Sequence, residues 1–238
     1  MKKTIAFITD MHLFEKLPVQ TDQLQHWQQV LDDVRERKVD EIVIGGDISE
    51  SEHYAYFFES LKGFDGRFRI IAGNHDVVPA LLHHFSNPEN ADSAELYYSF
   101  SDENFLYLFL DSSSNHISEA QLHWLEQKLE ANHFKVLLFV HHPIYEVDTY
   151  VDRKYPLQNR ETLQEMLSDQ NQEVFIFCGH YHCEDETGTG AISQYETPAV
   201  SYQIKKGTDD LDAHAEYFGY RLITIDHGNI SNQIVRLT

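Results

Sequence analysis

Basic residues are scarce: 18 lysines and arginines stand against 39 acidic side chains, for a formal net charge of −21. Such a surface repels polyanions, which argues against a large nucleic acid or an acidic membrane as a partner. If the ligand is a phosphate, something other than lysine and arginine must attract it, and a metal cluster would do so. Cysteine is sparse as well. Cys178 and Cys183, the only two, stand at neither disulfide-framework nor zinc-finger spacing, which reads as two reduced thiols in a cytoplasmic protein. No apolar run reaches the length of a membrane span, and residues 4–9 are too short a run for the apolar region of a secretion signal. Repeats, low-complexity tracts and long linkers are all missing. One domain over residues 1–238 is therefore expected, with ample chain for a core.

What the chain does contain is a series of short apolar runs, each ending in polar residues. Residues 4–9 suit a buried strand and lead to Asp10-Met11-His12. A helix is predicted over 22–37, with Leu24, Trp27, Leu31 and Val34 at helical spacing. A second strand, 41–44, ends at Gly45-Gly46-Asp47, and Ser51 is placed to cap a helix running through Phe58 and Leu61. A third, 68–72, feeds Gly73-Asn74-His75-Asp76, and residues 83–94 read as a surface loop. Residues 95–100 and 105–110 suit a hairpin, and Ser118 to Gln121 has capping-box form ahead of the Leu122, Leu125, Leu129 stripe. A fourth strand, 135–140, ends at His141-His142-Pro143; 148–158 reads as a loop and 160–167 as a helix. The fifth, 173–177, ends at Cys178-Gly179-His180-Tyr181-His182. Beyond it, residues 192–195, 199–204, 217–225 and 230–237 are strand-like without intervening helices, so that half is expected to pair antiparallel.

Five strands each end in a candidate metal ligand, and open α/β sheets gather their functional groups outside the carboxyl ends of the strands. The candidates are Asp10 and His12, Asp47, Asn74 with His75, His141, and His180 with His182. Imidazoles and hard oxygens without a thiolate suit Mn, Fe or Zn. Asp-x-His and His-x-His put alternate residues on one side of an extended chain, so both donors reach one place. Taken singly, each of these is an ordinary turn, cap or core residue. The other ten histidines, His26, His53, His83, His84, His116, His123, His133, His142, His214 and His227, read as surface or turn residues.

The ordered set Asp10-x-His12, Gly46-Asp47, Gly73-Asn74-His75-Asp76, His141 and Gly179-His180-x-His182 resembles the calcineurin-like metallophosphoesterase superfamily. The resemblance spans the chain from the first strand to the fifth. It implies a four-layer α/β/β/α sandwich of two mixed sheets with two metal ions at the strand ends. It further implies that Asp10, His12, Asp47 and His182 hold one ion and Asp47, Asn74, His141 and His180 the other, with Asp47 bridging. A narrower likeness is carried by Leu110-Asp111, Ile117-Ser118, Gln121-Leu122, Trp124-Leu125-Glu126, Leu157-Gln158-Asn159, Thr197-Pro198-Ala199 and Gly219-Tyr220-Arg221-Leu222. These are similar to the bacterial class III cyclic-AMP phosphodiesterase group, from which His116 departs, glycine being more frequent there.

Two divalent ions about 3.5–4 Å apart clamp an in-line displacement at phosphorus and supply a bridging hydroxide as nucleophile. His75, next to a ligand but not counted as one, is the candidate acid for the leaving alkoxide. Asp76 has two readings: it accepts the other N–H of His75 and orients it, or it caps the helix starting near Pro79. The expected function is hydrolysis of a small phosphodiester, cyclic nucleotides included. A phosphomonoesterase or nucleotide-polyphosphate hydrolase with the same metals is the alternative within enzymes, and a non-catalytic metal-binding scaffold the alternative outside them. Substrate choice belongs to loops, for which His53-Tyr54, 142–153 and 202–215 are the candidates.

Overall fold

The computed structural model describes residues 2–85 and 94–238. In chain order the first half runs β1 (Lys2–Ile8), α1 (Gln23–Glu36), β2 (Glu41–Ile44), α2 (Tyr54–Ser60), β3 (Arg67–Ile70), α3 (Val78–Leu81), β4 (Tyr98–Ser101), β5 (Phe105–Phe109) and α4 (Glu119–Glu130). The second runs β6 (Lys135–Phe139), α5 (Tyr150–Lys154), α6 (Arg160–Ser168), β7 (Val174–Cys178), β8 (Asp185–Thr189), β9 (Ile192–Glu196), β10 (Gln203–Ile204), β11 (Ala213–His214), β12 (Phe218–Asp226) and β13 (Asn229–Leu237). One sheet has the order β13-β12-β1-β2-β3, the other β4-β5-β6-β7-β9-β8, and β10-β11 form a separate pair. Within them β1-β2-β3 and β5-β6-β7-β9 are parallel, so the carboxyl ends of each parallel set face one way.

Alternation along the strands builds two cores. Phe105, Tyr107 and Phe109 of β5, Leu137 and Phe139 of β6 and Phe177 of β7 turn toward the first sheet. Their neighbours Leu106, Leu108, Val136, Leu138, Val174 and Ile176 pack under α4 and α6 with Leu122, Leu125, Leu129, Leu163 and Leu167. On the other flank, Trp27, Val30, Leu31 and Val34 of α1 and Phe57 of α2 join the core of β1, β2 and β3. The result is the expected four-layer α/β/β/α sandwich. Its middle carries an aromatic ladder across paired positions Tyr98, Phe109, Phe139, Phe177 and Tyr195, with ring centroids 4.5, 5.0, 5.5 and 5.3 Å apart in turn. Each such pair contributes about 0.5–1.5 kcal/mol beyond its burial.

Several local expectations change. Ser51 opens a 3₁₀ turn, Ser51–His53, and the helix starts at Tyr54 with no side-chain cap. Ser118 does accept from Gln121 N, but the Gln121 amide grips the backbone of Asp111 on both sides, so the reciprocal half of the capping box is not made. Within the expected 148–158 loop, Thr149 accepts from Asp152 N and starts α5. The last part of the chain is not wholly antiparallel: β9 lies parallel beside β7, and the polar edge strand β8 completes the sheet. Of the expected 83–94 loop, residues 86–93 lie outside the described residues.

Candidate metal centre

The carboxyl ends of β1, β2, β3, β6 and β7 bring every expected ligand to one cleft. Turning these residues inward bends the backbone sharply. Asp10, His12, Asp47, His180 and His182 all sit in the left-handed region, with φ of 56°, 45°, 52°, 73° and 49°. Non-glycine residues held there cost of order 1–3 kcal/mol each and cluster at functional sites. The bends are secured by backbone bonds between strand ends: Asp10 N to Gly46 O and His12 N to Asp47 O, both 3.0 Å. Gly179 has no room for a side chain, since a Cβ there would lie 2.2 Å from Thr9 Oγ1 and 2.5 Å from Asp10 Oδ2.

Two groups of donors result, Asp10-His12-His182 and Asp47-His141-His180, each with its ligand atoms within 4.8 Å of one another. Asp47 Oδ2 lies 3.3 Å from His141 Nε2 and 3.6 Å from His12 Nε2, which puts this one oxygen between the groups. Each side chain is held by one atom and presents another. His12 Nδ1 donates to Glu15 Oε2 at 3.0 Å, His141 Nδ1 to Gly45 O at 2.7 Å, His182 Nδ1 to Tyr202 O at 3.0 Å and His180 Nε2 to Tyr155 O at 3.0 Å. Asp10 Oδ2 accepts from Thr9 Oγ1 and, together with Oδ1, from His180 N, and Asp47 Oδ1 accepts from His75 N, which leaves Asp10 Oδ1 3.3 Å from His182 Nε2 and Asp47 Oδ2 3.3 Å from His141 Nε2. Outer partners of this kind fix the tautomer and orientation of metal ligands.

The inward atoms fit divalent metal ions. With both Nδ1 atoms donating, the Nε2 lone pairs of His12 and His182 face each other 3.2 Å apart, an arrangement that needs a proton or a cation between them. Two nitrogens sharing one tetrahedral ion with bonds of about 2.0–2.1 Å stand at nearly that separation. His141 Nε2 of the other group, and Asn74 Oδ1, are buried without a hydrogen-bond partner. Such atoms are rare in folded proteins unless something binds them.

The electrostatics are those of a ligand cage. Burial works to raise Asp10, yet His182 and His141 hold its carboxyl well below the usual range; Asp47 is treated the same way by His141 and His12. Burial works to lower His141, but Asp47 and Asp10 bring it up to about 10. His180 falls to about 3 through burial and the neighbouring His141.

His75 stands at the rim with its ring half exposed, its Nδ1 3.0 Å from Glu15 Oε2, and that bond, against partial burial, brings the imidazole up to about 9. Asp76 departs from both readings made of it. Its carboxylate turns away from the His75 ring and accepts from Asp47 N, Ile48 N, Gly73 N and Tyr54 Oη at 2.8, 3.0, 2.9 and 3.2 Å. Nor does it cap α3, whose N-cap is Val77. The fold needs an acceptor for those converging amides, and Asp76 supplies it. His142, read as a surface residue, is fully buried: Ser112 Oγ meets its Nδ1 at 2.9 Å, Asn115 Oδ1 its Nε2 at 2.7 Å, and its ring lies 4.1 Å from that of His180. Burial and the adjacent His180 and His141 keep it neutral.

The centre opens into a cavity of about 430 Å³. Its lining joins His12, Asp47, Asn74, His75, His180 and His182 with Tyr150, Tyr155, Tyr202, Ile204 and Leu211. Glu15 was not among the expected site residues, whereas Tyr202 belongs to the 202–215 segment expected to shape the substrate pocket. The sole hint of Glu15 in the sequence is a carboxylate three residues after His12. No described helix is long and apolar enough to cross a membrane.

Comparison with known proteins gives one family match, to calcineurin-like phosphoesterase, over residues 3–189. A probable cyclic nucleotide phosphodiesterase of Fibrobacter succinogenes is 30% identical over 172 residues, 71% of this chain and 67% of that protein. The 3′,5′-cyclic adenosine monophosphate phosphodiesterase CpdA of Escherichia coli is 28% identical over 98% of this chain and 89% of its own. Among solved structures, a dimetal phosphatase from Danio rerio superposes with a TM-score of 0.67 at 16% identity, covering 98% of both chains, which is a likeness of fold.

Proposed function

The chain belongs to the calcineurin-like phosphoesterase family and is a metal-dependent phosphoester hydrolase, and on that premise we propose that it cleaves the phosphodiester of a small nucleotide such as 3′,5′-cyclic AMP. The observation that carries this is the mixed lining of the cavity, where histidine and carboxylate side chains suited to a phosphoryl group occur together with tyrosine rings suited to a planar organic leaving group. A volume of about 430 Å³ suits one nucleotide better than a polymer, in keeping with the charge of −21.

In this reading Asp10, His12, Asp47 and His182 hold one ion and Asp47, Asn74, His141 and His180 the second, with Asp47 shared. Nitrogen and oxygen donors without thiolate favour Mn, Fe or Zn. When bound, two such ions neutralise charge on the phosphoryl oxygens and lower the pKa of water so that hydroxide is available near neutral pH. The chain does the rest. His75 keeps Nδ1 on Glu15, so Nε2 is the nitrogen that delivers a proton to the departing oxygen. Tyr155 and Tyr202, which line the same cavity, supply aromatic surface for the leaving group. The enzyme works as one domain, and its buried free thiols together with a nucleotide substrate fit the cytoplasm.

The test is a panel of cyclic AMP, bis-p-nitrophenyl phosphate and p-nitrophenyl phosphate, assayed with Mn²⁺ and with chelator. Turnover of both diesters, abolished by chelation, is expected. Turnover of the monoester alone would make the protein a phosphomonoesterase, and no turnover of any would leave a scaffold.

A further inference from the structure

His75 has no orienting partner next to it in sequence, because Asp76 is consumed by backbone amides. Its partner comes from 60 residues away. Glu15 Oε2 accepts from His75 Nδ1 and from His12 Nδ1, each at 3.0 Å, and the two rings meet edge to face with centroids 4.7 Å apart. Glu15 is itself fixed. Its N–H donates to His12 O at 3.1 Å, and Gln23 Nε2 donates to both His12 O and Glu15 O, at 3.2 and 2.7 Å. The His75 ring is 48% exposed, so burial alone does not fix it.

We propose that Glu15 is the positioning residue for His75, yoking it to the His12 ring so that Nε2 faces the leaving oxygen. This rests on the reading of His75 as the leaving-group acid. A carboxylate that served only His12 would be an ordinary outer partner of a metal ligand. One that serves both ties the place of the proton donor to the place of the metals, and the geometry of proton transfer is then inherited from the cage.

The consequence is a loss that depends on the leaving group. p-Nitrophenolate departs readily without a proton, whereas the ribose oxygen of cyclic AMP needs one. In the Mn²⁺-loaded enzyme, Glu15→Ala is expected to lower kcat on cyclic AMP roughly 100-fold and on bis-p-nitrophenyl phosphate roughly fivefold or less, with KM within about twofold. Two metals per chain remain by elemental analysis. In a His75→Ala background, Glu15→Ala costs nothing further. Equal losses on both substrates, an added loss in that background, or a fall in metal content would overturn the proposal in favour of a role through His12; so would a third bound metal that only Glu15 retains. If the wild-type enzyme hydrolyses neither diester, the nucleotide reading fails on its own. The yoke is then decided by nitrogen-15 spectra of the zinc-loaded protein. A protected Nδ1–H on His75 that disappears in Glu15→Ala sustains it, and its persistence overturns it.

Discussion

Asp47 leaves no space for a side chain on Gly73: a Cβ there would lie 2.1 Å from Asp47 Oδ1 and 2.6 Å from Asp47 N. The turn that presents Asn74 and His75 is thus packed directly against the carboxylate shared by both donor groups. Gly73→Ala must push the two apart. The expected result is loss of both metals at concentrations that saturate the wild type, with a stability cost of about 1–3 kcal/mol. Metal analysis and thermal melts check it, and a variant that keeps two metals contradicts the shared role of Asp47.

Stripping the metals should make stability depend on pH in a defined direction. His141 is up at about 10 from an ordinary 6.5 through Asp47 and Asp10, which outweigh its burial. A raised imidazole stabilises fully below about 6.5 and gives up that stabilisation as pH climbs through about 10. The Tm of chelated protein is expected to fall across that window. Metal binding releases protons from its ligands, so the gap between loaded and chelated protein should widen over the same range. A flat gap would mean that His141 is not displaced from its proton by a metal.

His142→Ala should behave as a change inside the centre. The ring fills the space beside His180 and links Ser112 to Asn115. Metal affinity or kcat is expected to drop roughly 10–100-fold, as for other outer partners of metal ligands. His123→Ala, on the exposed face of α4, is the control and should match the wild type.

Tyr155 separates its two roles by atom. Its carbonyl holds His180 and survives substitution, whereas its ring, 61% exposed at the cavity mouth, does not. Tyr155→Ala is expected to raise KM for cyclic AMP by roughly tenfold, with kcat and metal content little changed. A change in kcat alone would remove the ring from the substrate wall.

The sequence carried the parts of this centre that local chemistry encodes. Apolar runs mark strands, and a polar residue after each run marks its carboxyl end, so Asp10, His12, Asp47, Asn74, His141, His180 and His182 were legible together. Residues that act through distant partners were not. Glu15 meets His75 only after folding, Asp76 is claimed by amides from a different strand end, and His142 is buried against Ser112, Asn115 and His180, which no local pattern reveals. Strand β8, Asp185–Thr189, is polar because it sits at a sheet edge and has no apolar period to read. Short α5 depends on one cap from Thr149.

The five left-handed residues Asp10, His12, Asp47, His180 and His182 set stability and activity against each other at the same positions. Glycine at any of them would relax the backbone and remove a donor. Selection for a sturdier fold alone would therefore erode this centre first, and a descendant with several glycines here would be a more heat-resistant protein that no longer turns over substrate. Thermostabilising programmes that favour backbone relief should leave these five positions untouched.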